Sequence, residues 1–190
     1  MIYFSSDLHL CHNKPFLYEP RGYSNVENMN AEILAAAKAL DPLDTLYLLG
    51  DLMLNDDNTA CEILRQFPCQ VKVIRGNHDG DQRIEKYKEI FSLEEIPYAD
   101  VIKYGKWRFY LSHFPTKVGN YNDEESHKKF YCLCGHTHTQ DRWKDFSDKC
   151  YHVELDAHNM KFISIEDIIA DIQKYKQQQV EEIWRWALGT

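Results

Sequence analysis

A basic surplus is missing from this chain: 22 Lys and Arg stand against 30 Asp and Glu, a formal charge of -8 over 190 residues. That balance argues against broad, nonspecific attachment to nucleic acid or anionic lipid, so no stable nucleic-acid complex is expected. Long apolar runs are missing too. No stretch approaches the ~20 apolar residues of a membrane span, and the opening MIYFSSD carries neither a basic region nor a cleavage site. The expectation is a cytoplasmic protein with no membrane partner. Of the six cysteines (Cys11, Cys61, Cys69, Cys132, Cys134 and Cys150), none forms a Cys-x-x-Cys pair. Cys132 and Cys134 would face one side of a strand, and buried thiols are favoured there over a zinc or redox site. There is no internal repeat, and the most biased segment, 177–179, is only a short glutamine run.

What is present fits one domain spanning 1–190: 44% of residues are apolar and 13% aromatic, enough for a substantial core. Residues 2–4 read as a strand ending at Ser5, Ser6 and Asp7, with His9 two positions on. Ser24 and Glu27 make a capping box for a helix that ends before Asp41-Pro42. A second apolar run, 45–49, ends in Gly50-Asp51. A helix over 58–67, closed by Pro68, leads to the strand VKVI at 71–74, which hands over to Gly76, Asn77, His78 and Asp79. Strand, helix, strand, helix, strand implies parallel pairing, which puts Asp7, Asp51 and Asn77 at one edge of a sheet.

Farther on, 81–91 is a helix, and 99–104 with 107–112 form a hairpin turning at Gly105-Lys106 and ending in His113. A run over 130–134 ends in Gly135-His136-Thr137-His138. Residues 150–155 and 162–165 make a final pair of strands. Ser164 caps a last helix with Ile168, Ile172, Tyr175, Gln179, Ile183 and Trp186 along one side. Core packing is the simplest use of that side, a dimer surface the other, so monomer and homodimer both stand.

Five strand ends thus offer oxygen or imidazole donors. Turn chemistry alone accounts for Asn77, Asp79 and Gly80 but not for the whole set. Asp7 and His9, two apart in an extended segment, would converge on one ion, and His136 and His138 repeat the spacing. Asp, Asn and His donors without thiolates suit Mn, Fe, Zn or Co better than a structural zinc or calcium site. The donors outnumber one tetrahedral shell, so two ions with a carboxylate between them are expected, and phosphate ester hydrolysis is the natural reaction.

The ordered set Asp7-x-His9, Gly50-Asp51, Gly76-Asn77-His78-Asp79, His113 and Gly135-His136-x-His138 resembles the calcineurin-like metallophosphoesterase superfamily. The resemblance covers residues 2–165 and implies an α/β four-layer αββα sandwich of two mixed sheets flanked by helices, with the metals at the strand ends. It gives the first ion Asp7, His9 and His138, the second ion Asn77, His113 and His136, and makes Asp51 the bridge. Two divalent ions are implied, Mn first, with Fe, Zn, Co or Ni as alternatives. The resemblance further implies attack by a metal-bridged hydroxide with His78 as general acid toward the leaving group, and Asp79 or Asp51 would offset the imidazolium. After Gly50-Asp51 the chain reads Leu52-Met53-Leu54, without the acidic and arginine continuation of the protein serine/threonine phosphatases. Position 11 is Cys where bacterial relatives tend to have Gly, and Cys11 either narrows the site or faces the loop.

Two segments, 11–23 and 115–129, would overhang the metals. Their aromatics can stack a base or pack the loop down, and their cations Arg21 and Lys117 can hold a phosphate. Arg75 either reaches a phosphate oxygen or sits in a surface ion pair. A small or nucleotide-type phosphodiester is the expected substrate. A short single-strand nuclease, a phosphomonoesterase and a noncatalytic scaffold, as in the retromer subunit of the superfamily, are the alternatives.

Overall fold

The computed structural model describes residues 1–118, 129–143 and 149–188. Its first sheet starts with the three parallel strands the sequence predicts: β1 (Ile2–Ser5), β2 (Thr45–Leu48) and β3 (Gln70–Val73). The crossovers are α2 (Val26–Lys38) and α3 (Asp57–Leu64), the first preceded by a short α1 (Pro15–Tyr18) with Pro15 opening its first turn. The cap of α2 lies one residue later than the box at Ser24 predicts. Asn25, in extended conformation, accepts from the Asn28 N–H at 2.8 Å, and Ser24 Oγ accepts from the Asn28 side chain instead.

After α4 (Asp81–Phe91), the hairpin β4 (Ala99–Tyr104) and β5 (Trp107–Ser112) turns at Gly105 and Lys106 as expected. It continues into a second sheet through β6 (Phe130–Cys134) and β7 (Cys150–His152), each parallel to the strand before it. The last predicted pair does not form. The chain leaves β7, bridges Ser6 of the first sheet through Glu154, and turns through a 3-10 segment, Leu155–His158, and two left-handed residues, Asn159 and Met160. It then adds β8 (Ile163–Ser164) antiparallel to β1. The orders are β3-β2-β1-β8 and β4-β5-β6-β7, so both sheets are mixed.

Strand alternation explains the layers. Phe4, Tyr47, Leu49 and Ile74 of the first sheet meet Phe109, Leu111, Tyr131, Leu133 and Tyr151 of the second in one buried core. The other face of the first sheet, with Leu46, Leu48, Val71 and Val73, packs against Met29 and Ile33 of α2, Ala60 and Leu64 of α3, and Ile84 and Tyr87 of α4. The final helix, α5 (Ile165–Leu188), begins with Ser164 Oγ accepting the Asp167 N–H, and Ile165, Ile168 and Ile172 join the core between the sheets. Core packing ends there, because Val180, Ile183, Trp184 and Trp186 are exposed. Among the described residues no helix is long and apolar enough to cross a membrane. Asn120, Tyr121, Asn122, His127 and Lys128 of the second covering segment lie outside the described residues.

Candidate metal centre

Register delivers the donors. Ser5, Leu48 and Val73 are aligned across the first sheet, so each strand releases its polar residues at the same edge. The Asp7 N–H bonds to the Gly50 carbonyl, and in the second sheet the Gly135 N–H bonds to the His113 carbonyl, which sets His113 beside His136. The two edges meet closely. A Cβ at Gly135 would collide with the side chains of Ser6 and Asp7, and one at Gly76 with the Asp51 carboxylate, so both positions need glycine for space.

Convergence does not come from strand alternation. Asp7 and His9 stand at φ 54° and 47°, His136 and His138 at 74° and 49°, and Asp51 at 56°, so five of the seven predicted ligands occupy the left-handed region. For residues other than glycine this costs on the order of 1–3 kcal/mol each, and such strain clusters where function fixes the backbone. Asp7 and His9, like His136 and His138, each stand at positive φ with one residue between them that does not, so the segment that carries the Asp-x-His spacing is not a regular extended strand. Cys11 shares the habit at φ 62°, a conformation that glycine adopts freely, and its thiol meets Asn30 of α2 at 3.4 Å and so faces the helix.

The donor atoms form two linked groups. Asp7, His9 and His138 lie together, and Asp7, Asp51 and His113 form a second buried set. Facing nitrogens lie 3.1 Å apart between His9 Nε2 and His138 Nε2, and 3.2 Å apart between His113 Nε2 and His136 Nδ1. Two imidazoles binding one ion at ~2.0–2.1 Å would have their nitrogens about 3.0–3.4 Å apart. Asn77 Oδ1 is within 2.9 Å of both His113 and His136. Asp51 Oδ2 lies between the sets, 3.4 Å from His113 and 3.9 Å from His9. Asp7 Oδ2 accepts from Ser6 and from the His136 N–H, whereas Asp7 Oδ1 is buried with no hydrogen-bond partner among the described residues. An orphaned carboxylate oxygen amid facing imidazole nitrogens is what a cation site requires.

The structure adds residues that the strand-end motifs did not single out. His113 Nδ1 donates to the Leu49 carbonyl at 2.8 Å, which leaves Nε2 for the site. His138 Nδ1 lies 3.2 Å from Asp156 Oδ2, fixing that ring in the same way. Burial works against the charge of Asp156, but His138 and Arg21 outweigh it and hold the carboxyl down at about 2. Arg21 therefore turns inward: its side chain is 1% exposed, bridges both Asp156 oxygens, and donates to the carbonyls of Asp7 and Leu8. Glu154, also buried, accepts from Thr137 and the Thr139 N–H on either side of His138. Arg75 ion-pairs with Asp81 at 2.6 Å and lies over the Tyr98 ring, whereas Lys117 is on the exposed side of the segment after His113.

His78 is held by its backbone, its N–H bonding to Asp51 Oδ1 and its carbonyl accepting from Arg83, while its ring stands 3.9 Å from Asp51 Oδ2. Asp79 points the other way. It accepts from the N–H groups of Asp51 and Gly76 and from the Tyr87 hydroxyl, so Asp51 rather than Asp79 faces the His78 ring.

Residues 1–154 match the model of the calcineurin-like phosphoesterase superfamily domain. The chain belongs to this superfamily. It is 30% identical over 182 residues to the uncharacterized protein MJ1445 of Methanocaldococcus jannaschii, covering 92% of this chain and 93% of that one. A protein of unknown function from Aquifex aeolicus, AQ665, superposes with a TM-score of 0.67 at 27% identity, covering 90% of this chain and 98% of that chain. The calcineurin-like fold, two mixed sheets face to face with helices outside, is the one the resemblance implies, and its buried Asp and His cluster has the chemistry to hold divalent ions.

Asp156→Asn tests the support of His138. Loss of an outer carboxylate of this kind typically costs about 10–100-fold in metal affinity. Metal titration followed by isothermal calorimetry should show one ion weakened by that factor and the other little changed. Equal weakening of both would place Asp156 outside this role.

Proposed function

We propose that the protein is a dinuclear, metal-dependent phosphodiesterase acting on a small, nucleotide-type substrate. The observation that carries this reading is a cavity of about 600 Å3 that reaches His9, His78, His138 and Asp156 and is walled by His12, Phe16, Leu17, Pro20 and Leu54. Its size suits a small organic ligand. Phe16, 71% exposed and edge-on to His12, offers a flat apolar surface beside the polar donors, as a base next to a phosphate would need.

Asp7, His9 and His138 would hold one ion and Asn77, His113 and His136 the other, with Asp51 between them. Such ions, Mn first among the candidates, supply Lewis-acid charge to the phosphate and a lowered pKa to bound water. His78 gives a proton to the leaving oxygen from the mouth of the cavity. Its fixed backbone aims the ring, and Asp51 opposes its positive charge. Arg21, tied to Asp156, acts as a brace for the loop and for His138. Lys117, exposed in the segment after His113, is our candidate for a phosphate contact.

The test is a screen of Mn-loaded protein on bis- and mono-nitrophenyl phosphate, then on cyclic nucleotides, dinucleoside polyphosphates and short oligonucleotides. The expected result is diester cleavage exceeding monoester cleavage. In His78→Ala, turnover of diesters with poor leaving groups should fall about 10²–10⁴-fold, while nitrophenyl esters, which need little protonation, lose far less. Undiminished cleavage of the poor-leaving-group esters removes the acid role, and the absence of cleavage with any divalent ion removes the enzyme reading.

A further inference from the structure

A second cluster of metal-ligand type lies away from the Asp and His centre, on the opposite face of the second sheet. Cys132 and Cys150 are register partners on β6 and β7, and Cys134, two residues on, shares their side of the sheet. The intervening Leu133 and Tyr151 point into the core between the sheets. All three cysteines are fully buried, packed with Tyr110 and Val118. Their sulfurs lie within 4.8 Å of one another, with 3.2 Å between Cys134 Sγ and Cys150 Sγ.

We propose that Cys132, Cys134 and Cys150 form a thiolate site for one thiophilic d10 cation, Cu(I) or Zn(II), which clips β6 to β7 beneath His136. Three sulfurs at ~2.3 Å from one ion would be separated by about 3.8 Å in a tetrahedral and about 4.0 Å in a trigonal arrangement. The observed group is within about an ångström of that triangle. A disulfide would use two of the sulfurs at ~2.05 Å and leave the third without a purpose. Soft sulfur ligands select Cu(I) over the harder ions suited to Asp, Asn and His, so Cu(I) would not compete for that centre, whereas Zn(II) suits both donor sets. Ion binding exchanges thiol protons for the cation and needs no oxidant or reductant, because Cu(I) and Zn(II) keep their oxidation state.

The two ions are told apart by their shells. Cu(I) accepts three sulfurs alone, whereas Zn(II) takes a fourth, lighter donor. Among the described residues no further His, Cys or carboxylate joins the three.

The test uses the whole chain, reduced and preloaded with Mn so that the Asp and His donors are occupied. One equivalent of Cu(I), which the Asp and His donors do not favour, is added and the metal's X-ray absorption recorded. The expected result is a shell of three sulfurs at about 2.3 Å for the bound ion. A shell of nitrogen and oxygen only would overturn the proposal. In competition with a chromophoric chelator, Cys150→Ser and Cys134→Ser should bind the ion at least about 100-fold more weakly, exceeding the usual loss for an outer-shell partner. Cys69→Ser should bind as the parent does. Unchanged affinity in the first two, or equal weakening in Cys69→Ser, also overturns it. The absorption measurement on the unaltered chain decides the matter even if a serine variant fails to fold, and neither readout depends on phosphoester hydrolysis.

Discussion

Asp51→Asn is expected to bring the metal content of the purified protein down from two equivalents and to lower phosphodiester turnover by roughly 10³-fold. The carboxylate is almost fully buried, with Oδ1 fixing the His78 N–H and Oδ2 set between His113 and His9. An amide keeps the shape but removes the charge, and in one orientation it turns a donor toward the imidazoles. On the proposed bridging role, loss of this charge should weaken both ions together, in contrast to the single ion expected from Asp156→Asn. Two full equivalents in Asp51→Asn, measured by elemental analysis, would remove the bridging assignment.

The same substitution has a readout without metal. Burial alone would lower the pKa of His113, but its contact with Asp51 and the charges of Asp7 and Asp51 push it up to about 9, from an ordinary value of 6.5. In the metal-free protein that proton stabilises the fold fully below about pH 6.5, and the contribution is lost as pH rises to about 9. If His113 is a ligand, as proposed, ion uptake must expel that proton, and affinity should strengthen over the same interval. In Asp51→Asn the His113 titration should move to lower pH, as an NMR titration of the metal-free protein would show. An unmoved titration would mean that Asp7 and the Leu49 carbonyl hold the proton without Asp51.

Much of this centre was legible because its parts are local. An apolar run that stops at Gly-Asn-His-Asp, or at Gly-His-x-His, states both where a strand ends and what it presents there. Three such ends joined by two helices fix a common edge, since parallel crossovers leave few other topologies. The segments 150–155 and 162–165 were not legible as members of different sheets. Their alternation is the same in either sheet, and the separation depends on the bridge between Ser6 and Glu154 and the left-handed turn at Asn159 and Met160. Arg21 shows a similar limit. Its type and loop position suit a phosphate contact, and only the packing shows that Asp156, 135 residues away, claims its guanidinium. Cys150 likewise joins Cys132 and Cys134 through strand register, which spacing along the chain does not reveal.

Asp79→Ala is expected to produce the largest loss of stability, although Asp79 meets neither metal-ligand group directly. Its carboxylate gathers the backbone N–H groups of Asp51 and Gly76, the hydroxyl of Tyr87 and, at 3.4 Å, the N–H of Leu52, all in buried positions. Desolvation pushes its pKa upward and the nearby Asp51 adds to this, against the N–H bonds that favour the charge. Alanine would leave four buried donors unsatisfied at about 1–3 kcal/mol each for the three shorter bonds, which with partial relaxation gives a loss of about 3–5 kcal/mol. For a chain of this size that corresponds to a fall of roughly 10 °C or more in Tm. Asp51 is held at positive φ by this carboxylate, so the metal site should loosen along with the fold. Added Mn should restore part of the Tm loss, since an ion that binds only the folded state stabilises it by mass action. Thermal melts with and without Mn check both parts. A variant that melts within about 2 °C of the parent would show that water replaces the carboxylate at these donors and that Asp51 keeps its strained backbone without help.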